Sequence, residues 1–85
     1  MKYFTYVLKS VKNNDIYTGS TENLAKRIKR HNSGKVKSTK ANRPWVLLEY
    51  YEFNTRGEAV RYEKFLKTGQ QKELLRRKYC LTIKK

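Results

Sequence analysis

Cysteine, proline, glycine and acidic side chains are all scarce in this chain, and each scarcity excludes something. The one cysteine, Cys80, cannot close an internal disulfide or build a thiolate zinc site, and it reads as a small buried apolar residue. One proline and four glycines leave no linker, no Gly-rich phosphate loop and no nucleophile elbow. The longest apolar run, Trp45–Leu48, is far too short for a bilayer. The opening residues have neither the apolar length nor the small-residue cleavage site of a signal peptide. The seven acids are Asp15, Glu22, Glu49, Glu52, Glu58, Glu63 and Glu73, and they form no tight cluster of the kind two-metal phosphoryl chemistry uses. What remains reads as a soluble, cytoplasmic protein with one domain spanning 1–85 and one small core. An aromatic content of 13% is too rich for a disordered tail.

What the chain has in excess is positive charge. Twenty-one Lys and Arg against seven acids give +14, a field that draws in polyanions. Nucleic acid is the expected partner, because each neutralised phosphate releases condensed counterions. DNA is expected, and RNA is not excluded by charge. The basic residues recur through the middle of the chain, and Lys26, Arg30, Lys35, Lys37, Lys40 and Arg43 are the expected contacts to the nucleic-acid backbone. A membrane-surface role is not expected, since no helix pairs a wide apolar face with a basic one.

Alternation over residues 2–9 predicts a strand with Phe4, Tyr6 and Leu8 on one face and Tyr3, Thr5 and Val7 on the other. Asn13 and Asn14 supply a turn, and a second strand follows at about 15–19. An even loop length in this hairpin puts odd residues opposite even ones, so Tyr6 and Tyr17 project from one face. A helix follows, with Ser20 or Thr21 as N-cap and Gly34 just past its end. On it Arg27 and His31 stand together along the margin of the apolar stripe, while Lys26, Lys29 and Arg30 face solvent. Residues 33–44 have no apolar period and read as a mobile basic loop. A third strand runs from Trp45 to about Phe53, with Pro44 fixing its start. Thr55 and Glu58 form a capping box that opens a second helix. Its stripe of Ala59, Tyr62 and Leu66 contains the carboxylate of Glu63, which is costly there unless paired or holding a metal. Thr68 and Gly69 close that helix, and a short basic helix over about 70–78 ends the pattern. Each residue also has a plainer role. The tyrosines suit any strand, Arg27 and His31 suit a solvated basic helix, and Glu63 suits an ion pair with a Lys or Arg of a neighbouring element.

Taken together, the order and spacing resemble the GIY-YIG nuclease superfamily, in particular its small free-standing members. Phe4-Thr5-Tyr6 and Tyr17-Thr18-Gly19 correspond to the two motif triplets, Arg27 to the family's helix arginine, His31 to the His or Tyr one turn later, and Glu63 to its metal-binding glutamate. Neither triplet is literal, and residues 69–79 hold Gln70 and Gln71 where many relatives place an Asn. The resemblance spans about residues 2–78. It implies an α+β fold, a three-stranded antiparallel sheet flanked by helices, and metal-dependent hydrolysis of DNA phosphodiester bonds, structure-selective as in repair or recombination. It further implies a catalytic set of Tyr6, Tyr17, Arg27, His31 and Glu63, with Glu63 holding one Mg²⁺ or Mn²⁺. Arg27 complements charge on the phosphate, and Tyr17 is favoured as activator of the attacking water. With no appended targeting domain, target choice falls to a protein partner or is loose. The alternative reading is a catalytically weak or inactive DNA- or RNA-binding module on the same fold.

Overall fold

The computed structural model describes residues 2–79. The elements run β1 (Tyr3–Ser10), β2 (Ile16–Thr21), α1 (Leu24–Ser33), a 3-10 turn (Lys40–Asn42), β3 (Trp45–Phe53), α2 (Arg56–Leu66) and α3 (Gly69–Lys78). The strands form one antiparallel sheet in the order β2-β1-β3, so the fold is α+β as expected. Cys80 lies outside the described residues.

The hairpin register follows from its turn. Ser10 N–H donates to Asp15 O at 2.8 Å, and Asn14 takes the left-handed conformation, φ 63°, that an asparagine tolerates. Tyr6 therefore stands opposite Gly19 and Leu8 opposite Tyr17, which puts the two tyrosines on one face. A register irregularity at Val7 and Leu8 absorbs one residue of β3.

Each sheet face carries its own small core. On one, Tyr6, Leu8 and Trp45 pack with Tyr17 and with Leu24 and Ile28 of α1. On the other, Val7 and Ile16 pack with Leu66 of α2 and Leu75 of α3, joined by Leu48, Tyr51, Tyr62 and Tyr79. A carboxylate ties α3 down on this second side: Glu49 accepts from the Tyr51 and Tyr79 hydroxyls and from Lys78. These contacts hold the Glu49 carboxyl below its usual range and push Tyr51 up.

Three boundaries differ from the sequence reading. Thr68 and Gly69 do not close α2, which ends at Leu66; they open α3, with Thr68 as its N-cap accepting from Gln71 N–H. α1 is capped by Asn23, whose side chain accepts from Lys26 N–H, and not by Ser20 or Thr21. Those two residues are still strand, paired with Thr5 and Phe4, so they are not free to cap. The segment 33–44 is also more structured than a basic loop. It contains a 3-10 turn, buries Thr39 completely, and is tied to β1 by Ser10 Oγ donating to Asn42 O at 2.5 Å. Gly34 does end α1, in the left-handed conformation with φ 85°.

Candidate active site

The two phenols arrive on neighbouring strands with ring centroids 6.4 Å apart. Gly19 makes room for them: a Cβ there would lie 2.5 Å from the Tyr6 hydroxyl and 3.2 Å from Cε2 of Tyr17. From α1, His31 Nε2 meets the Tyr6 hydroxyl at 2.9 Å, and Arg27 Nε donates to the same oxygen at 3.4 Å. The imidazole also stands edge-on to Tyr17, with centroids 4.9 Å apart. Arg27 and His31 are one helical turn apart, so one helix face delivers both.

Burial sets the chemistry of this cluster. Tyr6 and His31 are completely buried, whereas Tyr17 and Arg27 are half-buried. Desolvation, helped by the charges of Arg27 and Arg30, pushes His31 down to about 4, so its imidazole is neutral at physiological pH. Desolvation likewise raises Tyr6, opposed by its hydrogen bond from Arg27. Arg27 is raised in turn, first by its bond to Tyr6 and further by both phenols. His31 thus sits deeper than the stripe margin where helical spacing placed it, because the segment after α1 folds over it.

Glu63 lies on the other face of the sheet and meets the groove over β2 only through Ser20. Its Oε1 accepts from Ser20 Oγ at 2.7 Å, across the end of β2, and its Oε2 pairs with Lys67 Nζ at 2.7 Å. The ion-pair partner thus comes from its own helix, i,i+4, and not from a neighbouring element. A groove of about 280 Å³ runs over this end of β2, lined by Ser20, Thr21, Arg27 and Arg56 among others. Arg27 is common to the groove and the phenol cluster, while Glu63 makes no hydrogen bond to either phenol.

These residues fit a hydrated divalent ion. Glu63 is a half-buried carboxylate whose two oxygens each spend one acceptor site and keep another. Among the described residues no group of three or more His, Cys, Asp and Glu could form a protein cage. The fitting ion is one that keeps most of its waters, as Mg²⁺ does.

The expected backbone contacts fall into two patches. Lys26 and Arg30 line a second groove with Arg27 on the outer side of α1. Lys37, Lys40 and Arg43 line a third with Lys12, a residue the sequence reading passed over. Lys35 is exposed and lines neither. Arg43 has a second task, because its guanidinium packs against Gly34 where a side chain would otherwise sit. Sequence reasoning also missed Ser20 and Lys67 around Glu63, and Thr39 behind His31 at 2.8 Å. Only Lys67, four residues after Glu63, had a local signal in the spacing.

The comparisons with known proteins point to one family. The model of the GIY-YIG catalytic domain matches residues 2–79. The chain is 41% identical over 76 residues to UPF0213 protein SH2523 of Staphylococcus haemolyticus, covering 88% of this chain and 92% of that one. It is 44% identical over 75 residues to UPF0213 protein YazA of Bacillus subtilis, covering 85% and 75%. The solution NMR structure of UPF0213 protein BH0048 from Bacillus halodurans superposes with a TM-score of 0.53 at 36% identity, covering 88% of this chain and 82% of that one. No helix among the described residues is long and apolar enough to cross a membrane.

Proposed function

The chain belongs to the GIY-YIG family, and from that premise we propose that it is an endonuclease that hydrolyses DNA phosphodiester bonds with one divalent metal ion, acting on branched or otherwise irregular DNA of the kind met in repair or recombination. The observation that carries this reading is the hydrogen-bonded set of Arg27, Tyr6 and His31 opening, through Arg27, onto a groove that a phosphate can enter.

Glu63 would hold the Mg²⁺ or Mn²⁺, with Lys67 released to solvent; Lys67 is half exposed, and such a surface pair holds it weakly. The bound ion would supply charge stabilisation at the phosphate oxygens and the leaving group. Arg27 complements charge growing on the phosphate, its planar fork matching two oxygens. A phenol is a poor base while it keeps its proton. Tyr6 is completely buried, raised by desolvation and held between His31 and Arg27, so it keeps its proton and orients those two groups. Tyr17, half-buried at the edge of this set, is therefore the proposed activator of the attacking water. Lys12, Lys26, Arg30, Lys37, Lys40 and Arg43 would grip the flanking backbone, and target choice would come from a protein partner or from DNA shape.

The test is cleavage of labelled duplex, flap and four-way DNA with Mg²⁺, Mn²⁺ or chelator, by the native chain and Glu63→Gln. Metal-dependent cutting lost in Glu63→Gln, with DNA affinity kept, supports the reading. Tight binding of DNA or RNA without cutting under any metal would overturn it in favour of a binding module on the same fold.

A further inference from the structure

We propose that Thr39 is a positioning residue that locks His31 in the tautomer carrying its proton on Nδ1, leaving Nε2 free to accept from Tyr6; this deepens the nuclease reading and rests on it. The assignment comes from counting protons along a closed set of bonds. At one end, Arg27 Nε can only donate, so the Tyr6 oxygen accepts from it at 3.4 Å. The Tyr6 hydroxyl then has its own proton to place, and its remaining partner is His31 Nε2 at 2.9 Å. At the other end, Val36 O can only accept, and it takes the Thr39 hydroxyl proton at 3.3 Å. Thr39 Oγ1 is then an acceptor toward His31 Nδ1 at 2.8 Å.

The chain of donors therefore runs one way on each side of the ring: Arg27 to Tyr6 to Nε2, and Nδ1 to Thr39 to Val36. The opposite tautomer would strand the Tyr6 proton and take one of two donors from Val36 O. With a proton on Nε2, the Tyr6 oxygen would accept twice and its own proton would have no acceptor. With Nδ1 bare, the Thr39 hydroxyl proton would turn to it and Val36 O would keep only the Thr39 N–H at 3.1 Å, one of its two donors. Tyr6, His31 and Thr39 have no exposed surface, so solvent does not compensate, and an unmet buried polar group is expensive.

Thr39 is itself fixed from outside the network. Trp45 Nε1 donates to its backbone oxygen at 2.9 Å, and Asn32 clasps Trp45 through both backbone groups, donating to its O at 3.0 Å and accepting from its N at 2.5 Å. The end of α1 and the start of β3 thus hold the threonine that orients the His31 ring.

The experiment exploits the chain's single histidine, which gives one unambiguous pair of ring nitrogens. Long-range ¹H–¹⁵N correlation on the intact protein at neutral pH should show Nδ1 protonated and Nε2 bearing the lone pair. Thr39→Val, which keeps shape and removes the hydroxyl, should lose that preference, and Thr39→Ser should restore it. On DNA, Thr39→Val should lower kcat at least tenfold with KM unchanged. An Nε2-protonated ring in the native protein, or an unchanged tautomer in Thr39→Val, would overturn the proposal. Should Thr39→Val fail to fold, judged by Trp45 fluorescence, the native spectrum alone still decides. A protein that cuts no DNA gives the same spectrum, so failure of the nuclease reading is distinguishable from failure of this one.

Discussion

Closed in by Tyr6 and Tyr17 and facing the charges of Arg27 and Arg30, His31 resists protonation down to about pH 4. Unfolded, it takes up a proton near 6.5. Between these values the unfolded chain binds more protons, so the stability supplied by the neutral buried ring is complete above about 6.5 and is lost as pH falls toward 4. The full loss is roughly 3 kcal/mol. Urea melts of the native chain should therefore weaken from pH 6.5 to 5, and those of His31→Gln should not; equal slopes would mean that the ring is solvated. Gly19 gives a second prediction. A methyl there would press on the hydroxyl and Cζ of Tyr6 at 2.5 and 2.7 Å, and the buried ring must shift to admit it. Gly19→Ala should cost about 1–3 kcal/mol by forcing the ring aside, and unchanged denaturation would show that the strand has room to give.

Elements were legible where their signals are local. The Thr55–Glu58 capping box forms as the sequence suggests, with both reciprocal bonds present, and Thr55→Ala should cost about 1 kcal/mol in thermal or chemical melts. Gly34 ends α1, and the hairpin register puts Tyr6 and Tyr17 together, both from short-range rules. The misreadings lie where partners are distant in sequence. Ser20 and Thr21 look like caps until β1 claims them as strand, leaving the cap to Asn23. Residues 33–44 look like solvated loop because nine of the twelve are polar, glycine or basic. Their order comes from Trp45, Ser10 and His31, which close on Thr39 and Asn42 from three other elements. The same distance hid Ser20 as a partner of Glu63, 43 residues away. Residue types carried the candidate site, and tertiary contacts carried its hydrogen bonds.

For the whole molecule, the site and the core are partly the same atoms. Tyr6 and His31 are among the largest fully buried side chains of a small protein whose sheet splits its interior into two thin cores. Truncation there tests folding as much as chemistry: Tyr6→Ala should cost about 3–5 kcal/mol, as large-to-small core changes do, whereas Tyr6→Phe keeps the ring and removes only the hydroxyl. The net charge of +14 acts at the same scale. DNA affinity should fall steeply and log-linearly with salt, and Lys40→Ala or Lys12→Ala should each reduce that slope by about one; a salt-independent affinity would deny the backbone grip. The most direct measurement is the single-turnover rate of cutting flap DNA under saturating protein with Mg²⁺, for the native chain, Arg27→Ala and Tyr6→Phe. The account predicts cutting by the native chain and losses of about 10²-fold or more in each variant at unchanged DNA affinity. Native-rate cutting by either variant would contradict it.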